Sequence, residues 1–433
     1  MNPPATQNCE VFVIGGGPGG STISALLALR GRDVVVCDKD RHPRFHIGES
    51  LLPQNMALFE TLGVAEEVAS IGMVKRGAEF NSPDHEHRTT FDFASAFDKR
   101  WPHAYQVRRS EFDHVLIENA RSKGAKVHQG ARVRSVEFTA EGPAVVDVEH
   151  DDGSRSRWRA QFLVDASGRD TFLANVLGFK RKNPKHNSAA LYAHFTGAHR
   201  LEGAAEGNIS VFWFAHGWFW LIPLRDGTTS VGAVCWPYYM KSRKSDPTTF
   251  LLETIALCPE LAARLEHAQL TGPATATGNY SYECTRMAGG RYLMIGDAWA
   301  FVDPVFSSGV YLAMNSAALG ADVVEGVLHD PAAAPRLYAQ FERRIRRGVK
   351  TFSWLIYRMT SPIIRQLFMR PRNLLRVEDA VISLLAGQVF EGVGPVRLRL
   401  WLFRGIYYVN CLASLPTAVR GWRNRRRVLG ITA

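Results

Sequence analysis

The chain has 433 residues, room for two to three domains at roughly 150 residues each, and its 46% hydrophobic and 21% charged content excludes long-range disorder. Its six cysteines (Cys9, Cys37, Cys235, Cys258, Cys284 and Cys411) form no C-x-x-C pair, which excludes a zinc ribbon or thioredoxin-type motif, and no apolar run reaches the ~20 residues that cross a bilayer. The net charge of +11 is lopsided, because residues 331–433 hold 19 basic and 4 acidic side chains and leave the first 330 at −4. Residues 1–9 lack the basic-then-apolar form of a signal peptide, so a cytoplasmic location is expected.

In chain order, residues 10–14 are short, apolar and β-branched, as a buried parallel strand requires, and run into glycines at 15–20. Residues 21–29 read as a helix and 33–37 as a second buried strand ending at Asp38. Helical apolar spacing recurs over 55–72 and 110–123. Residues 131–149 alternate like strands of a meander, and 161–165 form another buried strand. From 191 to 234 the chain alternates and is rich in aromatics, with Asp226-Gly227 as a hairpin turn, so an antiparallel sheet is expected there. Residues 292–296 return to the buried-strand pattern, 308–328 read as a helix, and 331–433 as helices broken at Pro362, Pro371, Pro395 and Pro416. The implied organisation is an α/β nucleotide-binding domain over 1–190, with 76–100 contributing to a second sheet. That sheet occupies 191–275, the first domain resumes over 276–330, and a basic helical region fills 331–433.

Gly15-x-Gly17-x-x-Gly20 lies between the first strand and the first helix, the context that makes it a dinucleotide fingerprint. The first glycine allows the turn, the second lets a pyrophosphate approach, and the third lets strand and helix pack closely. Asp38 lies 18 residues after Gly20, where a carboxylate takes the adenosine ribose hydroxyls, and Lys39 beside it joins the cofactor-binding set. Further on come Gly48-Glu49-Ser50, Arg109, Val164-Asp165-Ala166-Ser167-Gly168-Arg169, and Gly296-Asp297-Ala298 ahead of Asp303-Pro304. In that order these stretches resemble the flavoprotein monooxygenase family. The resemblance implies FAD, contacted by Glu49, Ser50, Arg109, Asp165, Gly296, Asp297 and Pro304. It also implies an α/β fold: a Rossmann-like FAD-binding domain, an inserted antiparallel substrate sheet and a C-terminal helical region. No second G-x-G-x-x-G fingerprint appears, so no dedicated nicotinamide domain is expected.

In a strand, Trp218, Trp220 and Ile222 share one face and make a rigid apolar wall. With Pro223 they match W-x-W-x-I-P, and here the chain resembles the flavin-dependent halogenases. In that family the wall stands beside the flavin and keeps an organic substrate from its peroxide. Lys75, just ahead of Gly77-Ala78-Glu79-Phe80, aligns with the family's lysine. An ammonium can hydrogen-bond and polarise hypohalous acid, and the neutral amine can instead be chlorinated; the neighbouring Arg76 is a weak nucleophile that stays protonated. Ser308-Gly309 opens a helix, and its N–H groups form an anion nest that the resemblance assigns to chloride. Tryptophan halogenases carry a glutamate two positions before the matching pair. Here that position is Phe306, expected on the substrate side, which resembles the branch acting on pyrrolyl and similar groups tethered to carrier proteins.

The resemblance therefore implies a halogenase using FADH2 from a separate, transiently bound reductase. Oxygen gives the C4a-hydroperoxide, chloride converts it to hypochlorous acid, and Lys75 delivers chlorine to an electron-rich pyrrole or phenol in natural-product biosynthesis. An acidic acyl or peptidyl carrier is the expected partner, steered by Arg343, Arg344, Arg346 and Arg347. Residues 401–408, aromatic at helical spacing, read as core. The run 420–427 with Trp422 would also suit an anionic membrane, the less favoured reading, and nucleic acid is not expected. His85 and His87 have no third ligand nearby, so no metal is expected. The alternatives are an FAD monooxygenase or reductase of the same fold, and a non-enzymatic flavoprotein scaffold docking a membrane or acidic partner.

Overall fold

The computed structural model describes residues 5–138, 142–278, 281–359 and 361–429. The expected meander is therefore seen without 139–141, and residues 1–4 of the N-terminal segment lie outside the described residues. Apolar runs buried on both faces demand a parallel sheet covered by helices. That sheet runs Tyr292–Met294, Arg155–Asp165, Thr6–Ile14, Val34–Asp38, Lys126–Gln129, with every one of these pairs parallel. Arg155–Asp165 changes partner along its length. Its first half pairs antiparallel with Ala144–His150, and its buried end pairs with Tyr292–Met294. Helices Pro18–Leu29 and Gly309–His329 pack against each other. The single helical segment expected over 55–72 is two helices, Asn55–Leu62 and Ala65–Ile71, because Gly63 ends the first in the left-handed conformation (φ 71°).

A second sheet is ordered Gln269–Leu270, Ala189–Thr196, Thr229–Cys235, Gly217–Pro223, Ile209–Phe214, Gly77–Asn81, Thr89–Asp92. It departs from the antiparallel expectation at one ladder, where Ile209–Phe214 runs parallel to Gly77–Asn81. Those two strands come from distant parts of the chain, so no hairpin dictates their direction. Alternation along Gly217–Pro223 divides the interior. Trp218, Trp220 and Ile222 join the main core, whereas Phe219 and Leu221 join a second core with Phe195, Phe212 and Leu261. The sheet is thus a partition with an apolar side chain on each face at successive positions.

The last hundred residues fold into Ala334–Ile356, Pro362–Met369, Val377–Leu385, Gly394–Ala413 and Leu415–Leu429. Pro362 and Pro395 sit in first turns, and so start helices rather than break them, because a missing N–H costs nothing there. One expectation is corrected here. Residues 401–408 are not uniformly core: Phe403 is buried, but Trp401 is 63% exposed and Tyr408 is half exposed. The arginine face is partly engaged already, with Arg344 on Glu391 at 3.2 Å and Arg346 on Glu283 at 2.6 Å. Among the described residues no helix is long and apolar enough to cross a membrane.

Candidate active site

The first strand ends at Ile14, and Gly15 turns the chain with φ 98°. A Cβ there would lie 2.5 Å from the Ala166 carbonyl oxygen, and one at Gly20 would lie 1.8 Å from the Gly15 carbonyl oxygen. Only glycine permits both approaches. Gly17 is the N-cap of Pro18–Leu29 and no side chain caps that helix, so its first N–H groups open into a cleft of about 360 Å³. Gly15, Gly17, Asp38, Lys39, Glu49, Ser50, Arg109, Gly296, Asp297 and Pro304 all line this cleft.

The charged groups around it are held by their neighbours. Asp38 accepts hydrogen bonds from the Gly16 and Asp40 amides at 2.8 and 2.9 Å. Burial alone would raise its pKa, but bonds from His42 and Asp40 and the charge of Arg44 outweigh this and hold it at about 2. Lys39 pairs with Asp170 at 2.5 Å. Arg109 is clamped by both oxygens of Asp113, at 2.8 and 3.0 Å, and donates to the Ile47 carbonyl. Asp297 is pushed up to about 7 by burial, against the opposing charges of Arg169 and Arg109. Asp165 requires a correction. It was expected to meet the cofactor, yet it is fully buried and off the cleft wall, where it accepts from the Ser167 and Leu173 amides at 2.9 and 2.7 Å. Its carboxylate fixes the loop that carries Ala166 and Arg169 to the cleft.

Opposite the glycines, Trp218, Trp220 and Ile222 form an apolar wall, the two indoles 6.1 Å apart. Trp220 Nε1 donates to Ser230 Oγ at 3.1 Å. Its ring lies over Gly232, where a Cβ would come within 2.2 Å of the indole. Pro223 is not part of that wall: it ends the strand one residue out of register with Ile222, on the alternate face. Tyr192 and Ala190 complete the wall from Ala189–Thr196, two strands away across Thr229–Cys235. Sequence reasoning passed over them, although the period of two in Ala190-x-Tyr192-x-His194 was the available signal.

Lys75 ends the short strand Met73–Lys75 and is 1% exposed. Its Nζ donates to Ser50 Oγ at 2.9 Å and to the Leu51 carbonyl at 3.0 Å, and lies 5.2 Å from the Phe93 ring centroid. Desolvation lowers its pKa from the usual 10.5 to about 7. Ser50 lines the cleft and Lys75 does not, so the amine sits one hydrogen bond behind the cleft wall. Next to Ser50, Glu49 holds His194 at 2.6 Å through one oxygen; its other oxygen is buried without a hydrogen-bond partner. His194 was not anticipated.

The loop before Gly309–His329 turns at Ser307, a non-glycine residue at φ 55°. Ser307 and Gly309 line the cleft, whereas the Ser308 side chain between them is buried and does not cap the helix. What this turn offers an anion is therefore backbone N–H at the positive end of a 21-residue helix, not the Ser308 hydroxyl. Phe306, expected toward substrate, is buried in the main core and absent from the cleft wall. Asp303 anchors the loop. It accepts from His186 Nε2 at 2.6 Å and Ser188 Oγ at 3.2 Å, and from the Val305 amide. Among the described residues no cluster of three metal-ligating side chains occurs.

An uncapped helix N-terminus, an ionised carboxylate at the end of the second strand and the orphaned Glu49 oxygen all suit FAD, with pyrophosphate at Gly15–Gly17 and ribose at Asp38. The comparisons agree. The family described as FAD binding domain matches residues 8–351. The chain is 32% identical over 412 residues to a 1H-pyrrole-2-carbonyl-[peptidyl-carrier protein] chlorinase of Pseudomonas fluorescens, covering 88% of this chain and 90% of that one. It is 34% identical to a tryptophan 2-halogenase of Chondromyces crocatus over 77% of this chain, spanning 64% of that protein. Among solved structures, the myxobacterial chondrochloren halogenase CndH superposes with a TM-score of 0.79 at 33% identity, over 90% of this chain and 92% of that one. With its fingerprint, its tryptophan wall and these relatives, the chain belongs to the FAD-dependent halogenases.

Proposed function

We propose that this halogenase chlorinates an electron-rich aromatic ring, a pyrrole or phenol, carried on an acidic acyl or peptidyl carrier protein. The observation that carries this reading is the buried, weakly basic Lys75, hydrogen-bonded to Ser50 on the wall of the cofactor cleft. When bound and reduced, FAD with dioxygen supplies the two-electron oxidation that turns chloride into hypochlorous acid. A separate reductase provides the reduced cofactor, in keeping with the lack of a second dinucleotide fingerprint.

Each part of the chain then has one task. The amides at Ser308 and Gly309 hold chloride at the helix end. Trp218, Trp220 and Ile222 exclude water and substrate from the flavin side, so the oxidant leaves as hypochlorous acid. With a pKa near 7, Lys75 is largely unprotonated just above neutrality, and its lone pair attacks the chlorine. An N–Cl bond forms, the O–Cl bond breaks, and water departs with the amine proton. The ring carbon then takes the chlorine, the N–Cl electrons return to nitrogen, and the proton lost from the ring restores the amine. Phe306 supplies no carboxylate to assist attack on a free indole, and the pyrrolyl-carrier chlorinase similarity favours a tethered, more reactive ring.

The test uses the full chain with FAD, a reductase, NADPH and chloride, offered pyrrolyl- and phenol-loaded carriers alongside the free aromatics. Intact masses should gain chlorine less hydrogen on the carrier-bound ring. Gain of oxygen would overturn halogenation, and chlorination confined to free aromatics would overturn tethering.

A further inference from the structure

Helix Gly394–Ala413 carries two apolar stripes. Val396, Leu400 and Phe403 recur at spacings of four and three and are buried against the rest of the protein. Leu398, Leu402, Ile406, Val409 and Leu412 recur at spacings of four, four, three and three on the far side, with Trp401 beside them, and face outward; Leu412 is 70% exposed. The next helix, Leu415–Leu429, adds Leu415, Val419 and Trp422. Among the described residues, 10 of 19 exposed large apolar side chains fall within residues 398–422. Large apolar side chains gathered on one face mark a surface that takes an occupant.

Charge identifies it. Residues 394–427 contain eight arginines and no aspartate or glutamate. Beside the helix pair lies a cavity of about 490 Å³ lined by Lys185, Lys350, Arg358 and Arg425 together with Trp354 and Tyr357. No ion pair to a carboxylate is made by those four cations among the described residues, and burial and the nearby Arg358 push the Arg425 pKa down. The site therefore has anion affinity in reserve. A second copy of this chain would bring two such cationic faces together. A folded acidic partner would match the charge, but it would also need a groove shaped to the Leu398–Leu412 ridge, which a fluid acyl boundary does not. Neither helix is apolar enough to span a bilayer.

We propose that the helix pair Gly394–Ala413 and Leu415–Leu429 lies in the interface of an anionic bilayer. The outer stripe enters the acyl boundary, and the arginines and the cationic cavity take lipid phosphates. This inference is independent of the carrier-protein reading, because it concerns where the enzyme works rather than what ring it chlorinates.

Flotation of the full chain with vesicles tests it. The protein should rise with phosphatidylcholine–phosphatidylglycerol vesicles at 0.1 M salt and much less with phosphatidylcholine alone. Replacing the ridge (Leu398→Ser, Val409→Ser, Leu412→Ser) should lower that partitioning about tenfold or more, and Arg358→Gln with Arg425→Gln about tenfold. Both variants should keep bound FAD, since their substitutions lie away from the cleft, which separates loss of binding from loss of fold. Failure to float with anionic vesicles, or equal flotation of the ridge variant, overturns the proposal. So does a solution dimer that the ridge variant dissociates, or protection of residues 398–412 from hydrogen exchange by an acidic carrier but not by vesicles.

Discussion

The cofactor cleft and the lysine site lie back to back across Ser50, and they are built by different means. The cleft is mostly backbone: two glycines that admit no Cβ, a helix N-terminus without a side-chain cap, and a carboxylate fixed by amides. The lysine site is made of side chains gathered from separate segments, with Lys75 bonded across 25 residues to Ser50 and facing Phe93. The cleft is suited to binding by shape, and in the proposed function the lysine site acts by the state of one proton. Substitutions should therefore separate cofactor binding from chlorine transfer.

The largest expected separation comes from Lys75→Ala. Chlorination should fall by about a thousandfold or more, while cofactor reoxidation by dioxygen and FAD affinity stay near those of the parent. Product chromatography beside a peroxide assay reads both at once, and chlorination within tenfold of the parent would sink the assigned role of the lysine. The converse is Gly20→Ala. Its methyl group would sit 1.8 Å from the Gly15 carbonyl oxygen, so strand and helix must part. FAD affinity, followed by flavin fluorescence, should drop about a hundredfold, with no effect specific to chlorine transfer.

The two regions were also unequally legible in the sequence. Glycine spacing and buried β-branched runs are local signals, so the fingerprint, Asp38 and the βαβ start could be read directly. Lys75 was found through a resemblance, since nothing local distinguishes it from a surface lysine. The Glu49–His194 and His186–Asp303 pairs join residues 145 and 117 positions apart, and no local pattern announces them. Asp165 and Phe306 fell in recognised motifs, yet they face inward. A motif records which residues occur, whereas backbone direction decides which of them reach the cavity. Residues 401–408 read as core from their spacing, yet Trp401 and Tyr408 face outward, because a buried stripe and an exposed one share the same period.

A middle-sized effect comes from pH. If transfer needs the neutral amine, chlorination should climb about tenfold between pH 6 and 8, following the Lys75 pKa of about 7, while FAD binding changes little over that range. Stability should respond as well. Between pH 7 and 10.5 the unfolded chain holds this proton and the folded chain does not, so unfolding free energy rises with pH there. Lys75→Met should flatten that slope in denaturant titrations. A rate that falls through pH 7 would assign the work to the ammonium instead.

The smallest effect lies on the partition itself. Gly232→Ala would put a methyl group 2.2 Å from the Trp220 indole, so the ring must swing off Gly232 and strain its bond to Ser230. Overpacking of this kind costs about 1–3 kcal/mol, read as a lowered denaturant midpoint. A displaced indole also opens the wall, so peroxide released per turnover should rise a few-fold while Lys75 keeps its chemistry. Phe219→Leu provides the comparison. It trims the opposite face of the same strand, inside the second core, and should cost similar stability without raising peroxide release. If both variants leak equally, the wall works through the stability of the sheet as a whole; if only Gly232→Ala leaks, it works through the position of one ring.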